Sequence, residues 1–529
     1  MPKIELYDTT LRDGAQREGV SFTATDKLKI AYKLDELGVE YVEGGWPGAN
    51  PKDSEFFALA RNARFQQTTV VAFGSTRRRD TKCEDDSSLK ALLDSGARAV
   101  TLVGKCSARQ VTQVLETTLS ENIEMVASSV DFFCRQGVRV FLDAEHFFDG
   151  WKDDADYALK VLKAAQEAGC QCVVLCDTNG GSLPSEVTEA VREVKSRLTL
   201  KLGIHAHNDA ELAVANTLAA VSEGVEQVQG TINGFGERCG NANLCSIIPA
   251  LKLKMGYELI SEQQLEKLTE VSRFVSETAN LPPEAFAPYV GLSAFSHKAG
   301  LHVSGMARWK NAYQHIDPLL VGNTKRVLIS EQSGRANIMQ RAQEIGVELS
   351  SNGTEIAELL NRIKELESRG FQYEHAVASF DLLLYRTSHQ YKKPFELVDY
   401  MVVIEKDRRR GAEQHEYGVL SEAMVKVKVG NKILHAASEG DGPVNALDNA
   451  LRKSLLDFYP GLAAVKLTDY KVRILEESTG TESQVRVLIE CMDGVEQWRT
   501  VGSSANIIEA SWLALSDSLE YWLVKHSHL

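Results

Sequence analysis

Lys201-Leu-Gly-Ile-His-Ala-His-Asn-Asp209 is a strand that runs into polar chemistry. Residues 201–204 form an apolar run, and a helix-like segment follows from near Glu211. Two histidines at i and i+2 on extended backbone point to the same side. That arrangement suits two neutral imidazoles holding one divalent ion. Two other polar stretches also follow strand-like runs. Asp8-Thr-Thr-Leu-Arg-Asp-Gly14 comes after residues 4–7, and Asn233-Gly-Phe-Gly-Glu-Arg-Cys-Gly-Asn241 comes after residues 227–231. A site is expected where the three loops meet.

Working outward from this unit, the same strand–loop–helix pattern recurs through residues 1–255. Strand-like runs fall at 4–7, 41–43, 68–73, 99–103, 139–144, 172–176, 202–205 and 227–231. Helix-like segments fall at 25–37, 51–61, 87–95, 111–136, 155–168, 185–197, 211–223 and 244–253. Such alternation predicts parallel strands with right-handed crossovers. Eight units in about 250 residues match a (β/α)8 TIM barrel, with a doubly wound sheet as the alternative. In a barrel, chemistry belongs at the C-terminal ends of strands. Those ends carry Arg12, Asp13, Glu43, Asp143, Glu145, Asp177, Thr178, His205, His207, Asn233, Glu237 and Asn241.

Residues 256–370 read as a helical connector with a polar, Gly-containing stretch from 291 to 305, and they are expected to cover the barrel mouth. The expected helices lie at 261–278, 334–346 and 354–369, with a loop at 311–323. Residues 371–529 carry an internal repeat offset by 64, which aligns 430–455 with 494–519. Each copy has strand-like segments (424–429 and 433–437; 485–490 and 497–501) and then a helix (444–456; 507–524). Two β-rich units, each closed by a helix, predict a small α+β domain with internal symmetry. This part shows no catalytic constellation, so binding or association is its expected role.

Composition sets the outer bounds. A net charge of −14 and 25% charged residues give no basic stripe. Arg77–Arg79 and Arg408–Arg410 read as short solvated loop clusters rather than a nucleic-acid surface. There is no apolar run long enough to span a bilayer and no apolar leader, so neither a membrane nor a nucleic acid is an expected partner and a cytoplasmic location is expected. The nine scattered cysteines read as reduced, mostly core thiols.

The three polar motifs resemble the signatures of the DRE-TIM metallolyase superfamily. Within it the chain resembles the Claisen-condensing branch of 2-isopropylmalate, homocitrate and citramalate synthases, over essentially its whole length. The stretches 42–48, 141–149 and 294–302 narrow the resemblance to the pyruvate-using members. The resemblance implies condensation of acetyl-CoA with pyruvate, followed by thioester hydrolysis, on the route to isoleucine through 2-oxobutanoate. It implies a divalent metal (Mn2+ or Mg2+, with Co2+ or Zn2+ as alternatives) held by Asp13, His205, His207 and Asn241. Arg12 would stabilise the oxyanion and Thr178 would bind the 2-oxo acid carboxylate. Glu145, His302 and Tyr313 would complete the catalytic set, the last two reaching the site from a partner subunit, with His297 competing for the role of His302. Glu237, Arg238 and Gly240 would face acetyl-CoA. Asp143 and the strand ends Phe73-Gly74-Ser75 and Leu102-Val103 would border the substrate, and Asp143 stands where some relatives carry an aromatic residue. The C-terminal part resembles an allosteric dimerisation domain, which implies a homodimer and isoleucine as feedback inhibitor, leucine being the alternative. Competing readings are 2-isopropylmalate or homocitrate synthase, a lyase of the same superfamily, and a catalytically silent amino-acid sensor.

Overall fold

The computed structural model describes residues 3–297, 302, 305, 308, 309, 312–327, 335–348, 354–374, 376–388, 391–406, 419–475 and 483–526. Contacts divide the chain into two compact units. One comprises 1–295 with 316–325, and the other 296–315 with 326–529. The expected Arg408–Arg410 cluster, and Gly334 and Asn311 at two predicted element ends, lie outside the described residues.

The first unit is a closed eight-stranded barrel, which excludes the doubly wound sheet. Its strands are β1 (Glu5–Asp8), β2 (Tyr41–Gly45), β3 (Thr69–Ser75), β4 (Ala99–Lys105), β5 (Arg139–Glu145), β6 (Cys172–Asp177), β7 (Lys201–Ala206) and β8 (Gln227–Gly230). All neighbours pair in parallel, and β1 closes on β8 with Tyr7 opposite Gln229. The pleat sorts the side chains. Tyr7, Tyr41, Val71, Ala99, Phe141, Cys172, Val174 and Cys176 fill the barrel interior. Their sequence neighbours Leu6, Val42, Ala72, Val100, Leu142, Val173 and Leu175 face the helices. Tyr7, Tyr41 and Phe141 plug the interior with rings 5.0–5.9 Å apart. Polar side chains take over further along the strands.

Local signals explain the helix ends. Thr23 and Asp26 form a capping box at the start of helix Ala24–Leu37, and left-handed Gly38 ends it. The single helix expected at 111–136 is instead two, Ala108–Gln113 and Leu119–Arg135. Glu116 has a positive φ of 51° and the Thr118 hydroxyl accepts from the Glu121 N–H, so a new helix starts there. Helix Phe147–Glu167 begins eight residues before the expected 155, and the non-helical backbone at Asp154 marks a kink inside it. The expected helix 261–278 divides into Glu262–Leu265 and Leu268–Thr278.

The second unit contains a short pair, β9 (Ser296–His297) with β10 (Arg326–Val327), and two three-stranded antiparallel sheets. Strands β11 (Glu396–Lys406), β12 (Val419–Val429) and β13 (Lys432–Gly440) precede helix Pro443–Leu455. Strands β14 (Lys466–Ile474), β15 (Val485–Met492) and β16 (Gln497–Ser504) precede helix Ile507–His526. The repeat is a βββα unit. Met424 pairs with Ala437, and 64 residues on Leu488 pairs with Val501. Strands β11 and β14 lay outside the aligned stretch, yet both carry a register shift near their start, at Leu397/Asp399 and Leu467/Asp469. Among the described residues, no helix is long and apolar enough to cross a membrane.

One buried ion pair braces the loop after β2. Lys27 Nζ lies 2.5 Å from Asp53 and donates to the Gly44 carbonyl at 2.9 Å, while the other Asp53 oxygen accepts from the Trp46 N–H. Both side chains are nearly inaccessible. Removing one partner of such a pair leaves an uncompensated charge. Asp53→Ala is expected to destabilise the barrel by about 3–5 kcal/mol, read from urea unfolding. The double variant Lys27→Met/Asp53→Leu is expected to recover most of that loss.

Candidate active site

Four side chains from three loops converge at the C-terminal end of the barrel. Asp13 follows β1 at the entry of a one-turn helix, Gly14–Gln16. His205 lies on β7, and His207 just beyond it makes a backbone bridge with Asn241 that carries the loop after β8 over the site. Asp13 Oδ2 is 3.2 Å from His205 Nε2 and 4.0 Å from His207 Nε2. The two Nε2 atoms are 3.3 Å apart. Asn241 Nδ2 is 2.8 Å from Asp13 Oδ2. Gly236 lets Asn241 come this close, because a Cβ there would sit 1.9 Å from Asn241 Oδ1.

The electrostatics prepare this cluster for a cation. Burial favours a neutral Asp13, but the charges of Arg12 and the histidines hold its carboxyl well below the usual range. Burial pulls His207 down to about 4, aided by the charge of His205, so its lone pair is available near neutral pH. Burial also opposes charge on His205, but the hydrogen bond and charge of Asp13 outweigh it and raise its pKa above 6.5. One carboxylate and two imidazole nitrogens lie within 4.8 Å of one another, and the buried Asn241 Oδ1 has no hydrogen-bond partner among the described residues. This donor set fits a small divalent ion.

Arg12 stands beside the cluster. Its Nε donates to Glu43 at 2.5 Å, its Nη1 is 3.7 Å from Asp13, and its guanidinium lies 3.7 Å from the centre of the Phe73 ring. Tyr7 donates to the other Glu43 oxygen at 2.7 Å. Sequence reading placed Glu43 at a strand end without a task; the structure makes it the anchor of Arg12. Gln229 was missed entirely. It sits within β8, where the alternation of Gln227 and Gln229 with apolar Val228 was the available sign of an inward polar face.

These groups open into a cavity of about 850 Å3 that also contains Asp143, Glu145, Thr178, Glu237 and Arg238. Thr178 Oγ1 accepts from the His146 N–H at 2.8 Å, which leaves its own O–H free to donate. Glu145 forms an ion pair with Lys105. Burial and the charge of Glu43 push Asp143 up to about 7. Glu237 lies at the rim, where Arg238 is tied to Asp209 and to the Thr178 carbonyl.

Two sequence readings need correction. Leu102 does not reach the cavity, because the pleat turns it outward into the core under the helices. Its neighbour Val103 lines the wall instead. Of Arg77–Arg79, which all line the cavity, only Arg77 departs from the solvated reading, being buried against Glu121 and Ser128, while Arg78 and Arg79 are exposed. His302 and Tyr313 belong to the other compact unit, where their rings stack 4.1 Å apart, with His297 6.2 Å from His302. All nine cysteines are free; seven are buried, Cys134 is half-buried and Cys239 is exposed.

Comparison with known proteins places this architecture. The HMGL-like family model matches residues 3–275, which is more than half the chain. A homocitrate synthase post-HMGL domain-like model matches 289–370, and a LeuA allosteric (dimerisation) domain model matches 374–523. The chain belongs to the HMGL-like family, as a member with a LeuA-type C-terminal domain. It is 53% identical to the (R)-citramalate synthase of Geobacter sulfurreducens, over all of this chain and 99% of that protein. It is 49% identical to the enzyme of that name from Aquifex aeolicus, over 99% of this chain and 98% of that one. For the one from Sulfolobus acidocaldarius the identity is 44%, over 98% and 97%.

Two outcomes are expected at this site. Below the raised pKa of His205 a proton competes for its nitrogen, so affinity for a divalent ion is expected to fall by about tenfold per pH unit as pH drops through that value. Titration calorimetry across pH 5–8 reads this slope. Glu43→Gln is expected to leave metal uptake intact while lowering turnover by about 10–100-fold, because Arg12 loses the charge that fixes it.

Proposed function

We propose that this protein condenses acetyl-CoA with pyruvate and hydrolyses the resulting thioester, giving (R)-citramalate and CoA. The observation that carries this reading is the Asp13–His205–His207 cluster with Arg12 beside it in one cavity, in a chain matched end to end by relatives named (R)-citramalate synthase. Asp13, His205 and His207, with Asn241, would hold a divalent metal, Mn2+ or Mg2+ being favoured. When bound, the metal supplies Lewis acidity toward the keto oxygen of the acceptor.

The protein's own groups account for the rest. Arg12, held by Glu43, offers a fixed cation to the negative charge that develops on that oxygen, and a preorganised charge in a dry site costs no reorganisation. The free Thr178 O–H donates to the acceptor's carboxylate. Phe73, Val103 and Asp143 bound the space next to the cluster, which supports a small side chain on the acceptor. Glu145 and His302 are the two candidates to take a proton from the acetyl methyl group. His302 and Tyr313 form the second acid–base element, contributed by the partner copy of a homodimer. Glu237 and the adjoining loop meet acetyl-CoA. The chain is read as a catalytic barrel (1–255), a connector (256–370) and a regulatory dimerisation domain (371–529), in a cytoplasmic biosynthetic enzyme.

The second unit supports regulation by a branched-chain amino acid, with isoleucine favoured. It holds a cavity of about 790 Å3 lined by Leu456, Leu462, Val465 and Leu467. Arg452 is paired with Asp448 there, and its Nη2 is buried without a hydrogen-bond partner among the described residues. A side chain and a carboxylate fit that mixture.

CoA release from acetyl-CoA with Mn2+ across a panel of 2-oxo acids tests the reading. A strong preference for pyruvate is expected; a preference for 2-oxoisovalerate would reassign the protein to 2-isopropylmalate synthesis. Isoleucine is expected to inhibit the full-length protein, and Arg452→Leu to relieve that inhibition with basal turnover unchanged. Insensitivity to both isoleucine and leucine would overturn the regulatory assignment.

A further inference from the structure

A continuous hydrogen-bonded chain leads away from the metal-type cluster through the barrel interior. His205 Nδ1 is 2.9 Å from Gln229 Oε1, and Gln229 Nε2 donates to Asp143 Oδ1 at 3.1 Å. All three side chains are buried. Nothing in the HMGL-like family match or in the relatives' names assigns Gln229 a task.

We propose that Gln229 is a positioning residue that fixes the tautomer of His205 as a metal ligand, and that Asp143 fixes Gln229. The inference rests on the metal-dependent reading above. An amide presents oxygen on one side and N–H on the other. With its oxygen toward the imidazole, Gln229 requires a hydrogen on His205 Nδ1. The lone pair of the neutral ring is then on Nε2, the atom that faces Asp13 at 3.2 Å. If the amide turned over, its N–H would face Nδ1, the ring hydrogen would move to Nε2, and the ligand atom would be blocked. Asp143 in its ionised form opposes that turn, because its oxygen then accepts only from the Nε2 side of the amide.

The Nδ1 hydrogen stays on the His205 ring and is donated to Gln229, so Nε2 is the nitrogen left to ligate. His207 differs, since its Nδ1 is buried with no hydrogen-bond partner among the described residues. The cluster therefore has one ring held in orientation and one that is not. Groups of this kind behind a ligating histidine commonly control metal affinity by about 10–100-fold.

The test is calorimetric titration of Mn2+ into the full-length protein at pH 7.5, with no acetyl-CoA or 2-oxo acid present. Gln229→Met keeps the volume but removes both hydrogen bonds, and is expected to weaken Mn2+ binding by about 10–100-fold. Gln229→Glu restores an acceptor for the Nδ1 hydrogen, with one proton shared between the introduced carboxyl and that of Asp143, and is expected to bind within a few-fold of wild type. Asp143→Leu frees the amide to turn and is expected to fall between the two. Thermal melting of each metal-free variant separates loss of fold from loss of affinity. Wild-type affinity in Gln229→Met, or a folded Gln229→Glu as weak as Gln229→Met, overturns the assignment. A wild-type protein that takes up no Mn2+ overturns the metal-dependent reading, and this inference with it.

Discussion

The two-residue pleat of eight closed strands is the constraint on which the rest of this molecule depends. Closure gives every strand an inside and an outside, and the pleat assigns alternate residues to each. At the lower level the inside is Tyr7, Tyr41, Val71, Ala99, Phe141, Cys172 and Val174, an apolar plug. At the upper level the same inward parity delivers Glu43, Asp143, Glu145, His205 and Gln229. Glu43 stands two residues beyond Tyr41, and Asp143 and Glu145 stand two and four beyond Phe141, so each inherits the inward face of the plug.

Burying so many charges is costly, and the arrangement meets the cost by pairing. Arg12 is shared between Glu43 and Asp13, and Tyr7 and Thr101 link Glu43 to the plug beneath. Such networks add little net stability compared with apolar packing. They add a fixed electric field, which is what stabilising a developing oxyanion requires. Asp13 stays ionised because Arg12 and the histidines surround it, while Asp143, buried and close to Glu43, is pushed toward neutrality. Two buried aspartates in one cavity are thus pushed in opposite directions by their neighbours.

The second unit is built on a different rule. Its two βββα copies share a pairing register 64 residues apart and an irregularity early in the first strand. Each sheet buries one face under a helix, with Val425 and Val427 beneath Pro443–Leu455 and Val487 and Ile489 beneath Ile507–His526. That leaves Met401 and Val403 on the other face of β11 exposed in the single chain. An exposed apolar face of this kind is consistent with the dimerisation role named for the matching domain.

The barrel, its strand order and the three converging loops were legible in the sequence, because alternation of strand and helix is a local signal and polar residues after apolar runs stand out. The repeat was legible from its better-preserved half, while β11 and β14 were not, since their pairing partners lie farther away and their own patterns are irregular. The break at Glu116–Thr118 was hidden because helical periodicity runs across it and only the cap geometry reveals it. Of Leu102 and Val103 the pleat admits only Val103 to the cavity, and Arg77 looked like surface because adjacent arginines usually are. Residue identity by itself marked His205 and His207 as donors suited to one ion, since their chemistry and i, i+2 spacing are intrinsic, while Asp13 joined them through the family resemblance. Only the closed barrel decided that Glu43 holds Arg12 and that Gln229 stands behind His205. Those contacts join strands distant in the chain, and no local pattern encodes which inward residues will meet.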